Sequence, residues 1–243
     1  MNELQQIIRT EIEAAGPMTC ARFMELALYH EVHGYYEKRS DQVGTGGDFI
    51  TSVSVGDLFG RLLAAHFAVW LREMSDHGRQ EPFQIVEAGA HTGRLAADVL
   101  TELQAGHPEI FEMLGYVIIE PSAERTKWQR ATLASFENKV SWRSGWQDAA
   151  PVSGIIFSNE LLDAFPVHRF VREGNKWSEL RIGVKGDSFD WINVPTEFSA
   201  GVPEERAEQL PAGFVIERSP AAERWWADAA RGLREGWLMT IDY

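Results

Sequence analysis

The 243-residue sequence predicts an α/β fold built on a mostly parallel β-sheet, on the strength of three observations. Short apolar runs alternate with amphipathic helical segments from residue 83 onward, as in parallel sheets covered by helices. A glycine-containing turn joins the first of these runs to a helix, which is typical of the ligand-binding edge of open α/β sheets. The composition, 44% hydrophobic and 24% charged, is that of an ordinary globular protein with a substantial core.

The first 80 residues are predicted to form a helical cap followed by a lid segment. Apolar residues recur at helical spacing from Leu4 to Ile12, and Gly16-Pro17 ends this helix. Thr19 is suited to cap a second helix, because its hydroxyl can accept a hydrogen bond from a first-turn N–H. A loop rich in glycine and aromatic residues follows, and a third helix is expected over residues 55–74.

Residues 81–243 are predicted to form the α/β domain. Strands are expected at residues 83–86, 116–120, 139–142, 154–158 and 237–243, with helices at 94–105, 122–136 and 220–234. A hairpin of residues 167–172 and 176–184 lies within an antiparallel insertion at about 167–215. Because a central strand normally continues into a loop and further neighbours, the final strand predicts a domain that is truncated at its C-terminus.

Composition excludes several classes of protein. Lys+Arg 23 against Asp+Glu 36 gives a net charge of −13, which argues against broad binding to nucleic acid or anionic membrane. No apolar run approaches the ~20 residues that span a bilayer. The single cysteine excludes a disulfide framework and a thiolate-rich zinc site, and His30 and His33 lack a third ligand, so no metal is predicted. The polar, acidic N-terminus resembles neither a signal nor a transit peptide, and we predict a cytoplasmic location.

The strand–turn–helix at residues 85–95 carries the strongest local signal. Gly89 and Gly93 allow the backbone to bend sharply or to approach a ligand closely. The exposed N–H groups at the helix start can bind an anion or a polar ligand end. The turn lacks the third glycine of the dinucleotide fingerprint and the ending of a P-loop, which disfavours a dinucleotide-dependent oxidoreductase. A purely structural glycine turn is the alternative.

Two carboxylates accompany this turn, Glu87 ahead of the glycines and Glu120 after the second strand. An acid at the latter position can accept hydrogen bonds from both hydroxyls of a ribose. A cofactor with an adenosine and a cationic amino-acid end, but no pyrophosphate, suits two acids and few basic groups. S-adenosylmethionine has this chemistry. The alternative is that both acids lie on the surface without a ligand.

Asn159 and Glu160 follow the fourth strand and are expected at the carboxyl edge of the sheet, beside the glycine turn. Carboxylates there can hold a guanidinium or an amine through charge-assisted hydrogen bonds and orient its nitrogen lone pair. The alternative is an ordinary helix start, with a side-chain cap and first-turn acids that complement the helix dipole.

Six separated motifs occur in a characteristic order along the chain. They are Gly34-Tyr35-Tyr36, Gly47-Asp48-Phe49-Ile50-Thr51-Ser52, Val86-Glu87-x-Gly89, Ile119-Glu120-Pro121-Ser122, the run from Asn159 to Val167, and Ile241-Asp242-Tyr243. This order resembles the MidA-like class I S-adenosylmethionine-dependent methyltransferases, bacterial relatives of the mitochondrial complex I assembly arginine methyltransferase. The resemblance spans nearly all of the chain.

The resemblance implies a class I methyltransferase-like, Rossmann-like sheet with an N-terminal helical cap and an antiparallel insertion. It also implies methyl transfer from S-adenosylmethionine to a protein arginine, with a respiratory NADH–quinone oxidoreductase subunit as the acceptor. Glu87, Gly89 and Gly93 would frame the methionine end of the cofactor, Glu120 the ribose and Asp148 the adenine. Asn159 and Glu160 would face the acceptor, and the loop containing Gly47, Asp48 and Thr51 would cover the pocket. No metal is required.

The chain departs from the family pattern in two places. The family's loop reads Glu-x-Gly-x-Gly-x-Gly, and His91 occupies the position of the middle glycine. A side chain there is expected to crowd the methionine end of the cofactor. The family also continues beyond Tyr243 with the segment that completes the sheet. The histidine favours an alternative function, a non-catalytic assembly factor that binds a partner protein.

Overall fold

A computed structural model describes residues 2–37, 53, 56–76, 82–146, 150–196 and 200–242 of the chain. The helices are α1 (Glu3–Ala15), α2 (Cys20–Tyr29), α3 (Leu58–Asp76), α4 (Arg94–Gly106), α5 (Pro108–Met113), α6 (Ala123–Thr132), α7 (Glu204–Ala207) and α8 (Pro220–Arg231). The strands are β1 (Met18–Thr19), β2 (Phe83–Ala88), β3 (Leu114–Ile119), β4 (Val140–Arg143), β5 (Val152–Asn159), β6 (His168–Glu173), β7 (Lys176–Lys185), β8 (Ser188–Thr196), β9 (Val215–Arg218) and β10 (Leu233–Ile241).

The chain divides into two compact units. One unit comprises Met1–Lys38 with Ala164–Arg224, and the other comprises Arg39–Asp163 with Trp225–Tyr243. This division differs from the predicted boundary near residue 80, because α3 packs its buried face into the same core as β2 and α4. Helices α1 and α2 instead pack against the antiparallel sheet of the first unit.

The second unit is built on a parallel sheet of strand order β4-β3-β2-β5-β10. Successive residues of β2 point to opposite faces of the sheet and pack into different hydrophobic clusters. Ile85 packs with α3 and α4, whereas Val86 packs with the cluster that contains Ala229 of α8. Five of its six residues are buried, because both faces of the strand are covered by helices. On the α3 side the indoles of Trp70 and Trp237 stack, with centroids 4.9 Å apart and planes 6° from parallel. The predicted parallel α/β sheet is therefore confirmed.

The first unit is built on an antiparallel sheet of order β1-β7-β6-β9, with β8 paired along β7. The predicted hairpin corresponds to β6 and β7, which pair antiparallel from Arg169 opposite Leu180 to Glu173 opposite Lys176. Strands β8 and β9 were not predicted, and the short β1 joins the sheet from the N-terminal region.

The two predicted N-terminal helices are present, and each begins at a residue whose side chain caps it. Asn2 and Gln5 make a reciprocal capping box at the start of α1, and Gly16 follows its end. The Thr19 hydroxyl accepts a hydrogen bond from the Arg22 N–H at the start of α2, as expected. Other ends differ by a few residues: the helix predicted over 122–136 ends at Thr132 and continues as a 3-10 turn over Ala134–Phe136.

Candidate functional site

The carboxyl ends of three neighbouring parallel strands bring several predicted site residues to one edge of the sheet. Ala88, the last residue of β2, lies opposite Ile119 of β3 and Ser158 of β5. This edge is where open α/β sheets bind their ligands. The next residues along the chain are Gly89 after β2, Glu120 after β3 and Asn159, the last residue of β5.

The carboxyl of Glu87 is buried in the core on the α3 side of the sheet, with 2% of its surface exposed. Its Oε2 atom accepts a hydrogen bond from the hydroxyl of Tyr116, the residue register-paired with Ile85, at 2.5 Å. Burial raises the pKa of Glu87 to about 7, and the hydrogen bond from Tyr116 opposes this shift. Burial and the neighbouring Glu87 raise the pKa of Tyr116 well above its usual value, so its hydroxyl keeps its proton.

The turn between β2 and α4 uses both glycines at left-handed backbone angles. Gly89 has φ +79° and Gly93 has φ +81°, a region that other residues enter only with strain. A methyl group on Gly89 would lie 3.0 Å from Leu161 Cδ1, and one on Gly93 would lie 3.2 Å from Leu133 Cδ1. Gly93 caps α4 without a side chain, so the first-turn N–H groups of this helix receive no side-chain cap from it.

His91, between these glycines, also adopts a left-handed conformation, with φ +46°. Its ring lies 6.4 Å from the ring of Trp128 on α6, in an edge-to-face arrangement. Burial lowers the pKa of His91, and the positive charge of Arg125 lowers it further, so the ring is held neutral. The backbone at this position thus has the geometry that a glycine would adopt without strain.

The Glu120 carboxylate is held by three donors at the end of β3. Its Oε1 atom accepts hydrogen bonds from the Ser122 N–H and the Arg125 Nε, both at 2.9 Å. Its Oε2 atom accepts one from Gln129 Nε2, also at 2.9 Å. A carboxylate offers about four acceptor positions, so Oε2 retains the capacity for a further hydrogen bond. Only 6% of the Glu120 surface is exposed.

Asn159 and Glu160 lie where β5 ends. The Asn159 Oδ1 atom is buried and has no hydrogen-bond partner among the described residues, which is unusual for a buried polar atom. Glu160 adopts φ +49°, and its N–H donates to the Ile241 carbonyl at 2.8 Å. Nearby, the Leu162 N–H donates to Asp242 Oδ2 at 3.0 Å. The chain therefore leaves β5 through a strained turn at Glu160, and β10 stabilises this turn through a hydrogen bond.

The remaining predicted site residues, Asp148, Gly47, Asp48 and Thr51, lie outside the described residues. Within the described ranges, no group of three His, Cys, Asp or Glu side chains could hold a metal ion. Over the same part of the chain, no helix combines the length and apolarity needed to cross a membrane.

The sequence prediction missed the polar side chains that support the acids. Tyr116 supports Glu87, and Gln129 supports Glu120 with Trp142 behind it. One signal could have drawn attention to Gln129. That signal is its polarity in the helix that follows the second strand. The structure shows that the side chain is completely buried.

An adenosine cofactor with a polar amino-acid end fits this set of residues. Glu120 Oε2 can accept a hydrogen bond, as a ribose hydroxyl requires, and the start of α4 offers backbone donors. A side chain at Gly89 would press against Leu161 and would need a left-handed backbone, so glycine suits this position of the turn. A parallel sheet of this strand order, with an acid-flanked glycine turn at its carboxyl edge, defines a class I S-adenosylmethionine-dependent methyltransferase fold.

Comparison with known proteins identifies the family. Residues 62–243, more than half of the chain, match the model of a family of S-adenosyl-L-methionine-dependent methyltransferases. The chain belongs to this family. Its cofactor class is therefore S-adenosylmethionine, as predicted from the two acids and the glycine turn.

A similar solved structure is that of a COG1565 superfamily member from Burkholderia thailandensis bound to S-adenosyl-homocysteine. It shares 30% identity and a TM-score of 0.82, over 99% of this chain and 62% of that chain. A native crystal structure of a COG1565 superfamily protein from the same organism gives 28% identity and a TM-score of 0.77 over 99% of this chain and 60% of that one.

Curated relatives carry the name protein arginine methyltransferase NDUFAF7, mitochondrial. The Danio rerio protein is 30% identical over 73% of this chain and 46% of its own length. The Homo sapiens protein is 28% identical over 85% of this chain and 53% of its own length. The chain thus spans about half the length of the curated relatives it matches. The MidA-like resemblance seen in the sequence is confirmed.

Proposed function

We propose that the chain binds S-adenosylmethionine at the carboxyl edge of its parallel sheet and methylates an arginine side chain of a protein. The observation that carries this proposal is the register of β2, β3 and β5, since it aligns the glycine turn, Glu120 and Asn159 at one edge. When bound, S-adenosylmethionine supplies an electrophilic methyl group on a sulfonium sulfur. The protein's task is to hold that group and to orient the acceptor nitrogen.

The cofactor would be held by groups from two strand ends. Glu120 Oε2 would accept a ribose hydroxyl, while its Oε1 stays occupied by Ser122 and Arg125. The backbone N–H groups at the start of α4 would bind the carboxylate of the methionine end. The buried Glu87 carboxyl lies beneath the turn, and an adjacent cationic ligand would favour its ionised form.

The acceptor would be held by Asn159 and Glu160. A carboxylate at Glu160 can accept hydrogen bonds from two guanidinium N–H groups and leave the third nitrogen oriented toward the methyl group. The Asn159 Oδ1, which has no hydrogen-bond partner within the described ranges, gives the site a second acceptor for the same N–H groups. The product proton passes to solvent or to a neighbouring base, and no metal or covalent intermediate is needed.

The names of the relatives support arginine as the acceptor, since several are called protein arginine methyltransferases. The family resemblance extends the proposal to a subunit of a respiratory NADH–quinone oxidoreductase as the protein substrate. Both statements are analogies, because a fold does not determine a substrate. The predicted cytoplasmic location belongs to the same proposal.

Calorimetric titration with S-adenosylmethionine and S-adenosylhomocysteine tests cofactor binding. We expect micromolar binding by the chain and loss of about tenfold or more in affinity for Glu120→Ala, because a buried acceptor is removed. The matched control is Glu124→Ala, a solvent-exposed acid on α6 that pairs with Lys127 at 2.7 Å. Equal losses in both variants, or no binding by the unmodified chain, would refute the cofactor site.

Methylation of arginine-containing peptides, followed by mass spectrometry, tests the acceptor site. Glu160→Gln is expected to lower transfer by at least about a hundredfold while leaving cofactor affinity within about twofold, since it removes only the charge that orients the acceptor. Asp163→Asn, which makes the same chemical change at an exposed residue three positions on, serves as the control. Full activity of Glu160→Gln would remove Glu160 from the mechanism.

A second candidate function is a non-catalytic, protein-binding assembly factor, favoured by the left-handed conformation of His91. If this side chain only impairs the cofactor loop, His91→Gly should tighten S-adenosylmethionine binding several-fold, because glycine adopts φ +46° without strain. The titration above measures this change. Absence of binding in both the unmodified chain and His91→Gly would favour the assembly factor.

A further inference from the structure

Gln129 of α6 is the one completely buried polar side chain, among those described, that touches both halves of the proposed cofactor site. Its exposed fraction is 0%. Its Nε2 atom donates to Glu120 Oε2 at 2.9 Å and to the His91 carbonyl oxygen at 3.0 Å. An amide nitrogen has two hydrogens, so both donors of Gln129 are used, one on the ribose acid and one on the glycine turn.

The orientation of this amide is fixed by Trp142 on β4. The indole Nε1 of Trp142 donates to Gln129 Oε1 at 2.9 Å. An indole nitrogen can only donate, so the oxygen of the amide must face Trp142 and the nitrogen must face Glu120 and His91. The guanidinium of Arg130 lies 4.2 Å from the centroid of the Trp142 ring and covers that ring.

Gln129 also packs against the second glycine of the turn. A methyl group added at Gly93 would lie 3.4 Å from Gln129 Cα and 3.5 Å from its Cβ. The backbone of α6 therefore approaches the start of α4 closely at the residue that carries the bridging amide. Gln129 thus contacts Glu120, His91 and Gly93, which belong to two different strand ends.

We propose that Gln129 is a positioning residue that locks the Glu120 carboxylate and the glycine turn in the relative arrangement that S-adenosylmethionine requires. This inference rests on the proposed cofactor site and names no contact with the cofactor itself. Its physical basis is that one rigid amide, with its orientation set by Trp142, fixes the distance between a carbonyl on the turn and a carboxylate on the next strand. Because the amide donates to both acceptors, it restrains the Glu120 side chain and the backbone of the glycine turn before the ligand binds.

A leucine at position 129 distinguishes positioning from simple packing. Gln129→Leu keeps most of the volume and the helix propensity, but it leaves Glu120 Oε2 and the His91 carbonyl without their donor. Gln104→Leu, the same change at an exposed site on α4, is the matched control. Trp142→Phe removes the donor that orients the amide and keeps an aromatic ring beneath Arg130. Glu120→Ala and the double variant Glu120→Ala, Gln129→Leu complete a thermodynamic cycle.

The readouts are the dissociation constant for S-adenosylhomocysteine and the hydrogen exchange of turn amides 89–94 in the free protein. We expect Gln129→Leu to weaken binding about tenfold and to speed exchange of these amides, as loss of a buried donor predicts. Trp142→Phe should weaken binding several-fold. In the Glu120→Ala background, Gln129→Leu should cost less than about threefold, since its main partner is already gone.

The outcomes separate the inference from the function on which it rests. If the unmodified chain binds S-adenosylhomocysteine but Gln129→Leu binds equally well, or loses the same factor in both backgrounds, the positioning role is overturned and the cofactor site stands. If the unmodified chain does not bind, the proposed function fails and the role of Gln129 toward the cofactor fails with it. A loss shared by Gln104→Leu would also refute a role specific to Gln129.

Discussion

Glu87 places an ionisable group inside the parallel-sheet core, where its pKa of about 7 makes stability depend on pH. In the unfolded chain this carboxyl titrates near its ordinary value of 4.5, about 2.5 units lower. Between these two pH values the folded state binds more protons than the unfolded state, so stability falls as the pH rises through this range. Above pH 7 the ionised, buried carboxylate is a constant cost.

Replacing Glu87 by glutamine removes this cost. We expect Glu87→Gln to raise the free energy of unfolding at about pH 8 by at most roughly 3 kcal/mol, and to change it little at about pH 5. The amide oxygen can still accept the Tyr116 hydrogen bond. Urea unfolding at both pH values measures the difference, with the exposed Glu112→Gln as the control. A gain that is the same at both pH values would contradict a titrating Glu87.

At single positions, sequence reasoning predicted which acids and glycines lie at this edge of the sheet but not the side chains that bond to them. Gly89, Gly93 and Glu120 stand next to strand ends, and that placement follows from local pattern alone. The bond from Tyr116 to Glu87 joins residues 29 positions apart. It depends on the register of β2 against β3, and no spacing along one chain segment encodes that register.

Helix α6 links the site to the rest of the parallel sheet, because it carries both Arg125 and Gln129. The Ser122 hydroxyl caps this helix by accepting a hydrogen bond from the Arg125 N–H at 3.3 Å. The backbone N–H of the same serine donates to Glu120. One residue thus begins the helix with its side chain and holds the acid with its main chain.

Loss of this cap should destabilise the protein without removing the contact to Glu120. Ser122→Ala is expected to cost about 1 kcal/mol in unfolding free energy, whereas Ser122→Gly should cost only a few tenths, because glycine leaves the N–H groups accessible to water. Denaturant unfolding of the two variants in parallel measures both values. An unfolding free energy of Ser122→Ala equal to that of the unmodified protein would show that the hydroxyl does not act as a cap.

Among the elements, all five strands of the parallel sheet were predicted, including its edge strands β4 and β10, whereas β1, β8 and β9 of the antiparallel sheet were not. Strand β8 contains Pro195 and presents mostly exposed residues, so its apolar pattern is weak. Strand β9 is four residues long and gains its order from pairing with β6. Their place in the sheet is decided by hydrogen bonds to distant strands, and local propensity does not contain that information.

Across the whole molecule, the formal charge of −13 sets the character of any partner. Acidic proteins repel the phosphate backbone, and the field of the protein disfavours even weak nonspecific encounters. A cationic segment containing an accessible arginine would instead be attracted, with an affinity that decreases as salt is added.

We therefore expect no measurable binding to duplex DNA or RNA at about 150 mM salt. Fluorescence anisotropy with a labelled duplex measures this directly, and an arginine-rich peptide of similar length serves as the positive comparison. Saturable, salt-sensitive binding to the duplex would show that a local basic patch outweighs the net charge.

The stacked indoles of Trp70 and Trp237 give the protein an internal optical probe. Two stacked chromophores at 4.9 Å are close enough for their electronic transitions to couple, and an in-plane angle between their transition dipoles splits the ultraviolet circular dichroism signal into bands of opposite sign. One indole belongs to α3 and the other to the outermost strand of the parallel sheet. The split band will therefore persist while that strand stays attached to the sheet and vanish when it peels away, and a spectrum of Trp237→Phe isolates it from the remaining tryptophans.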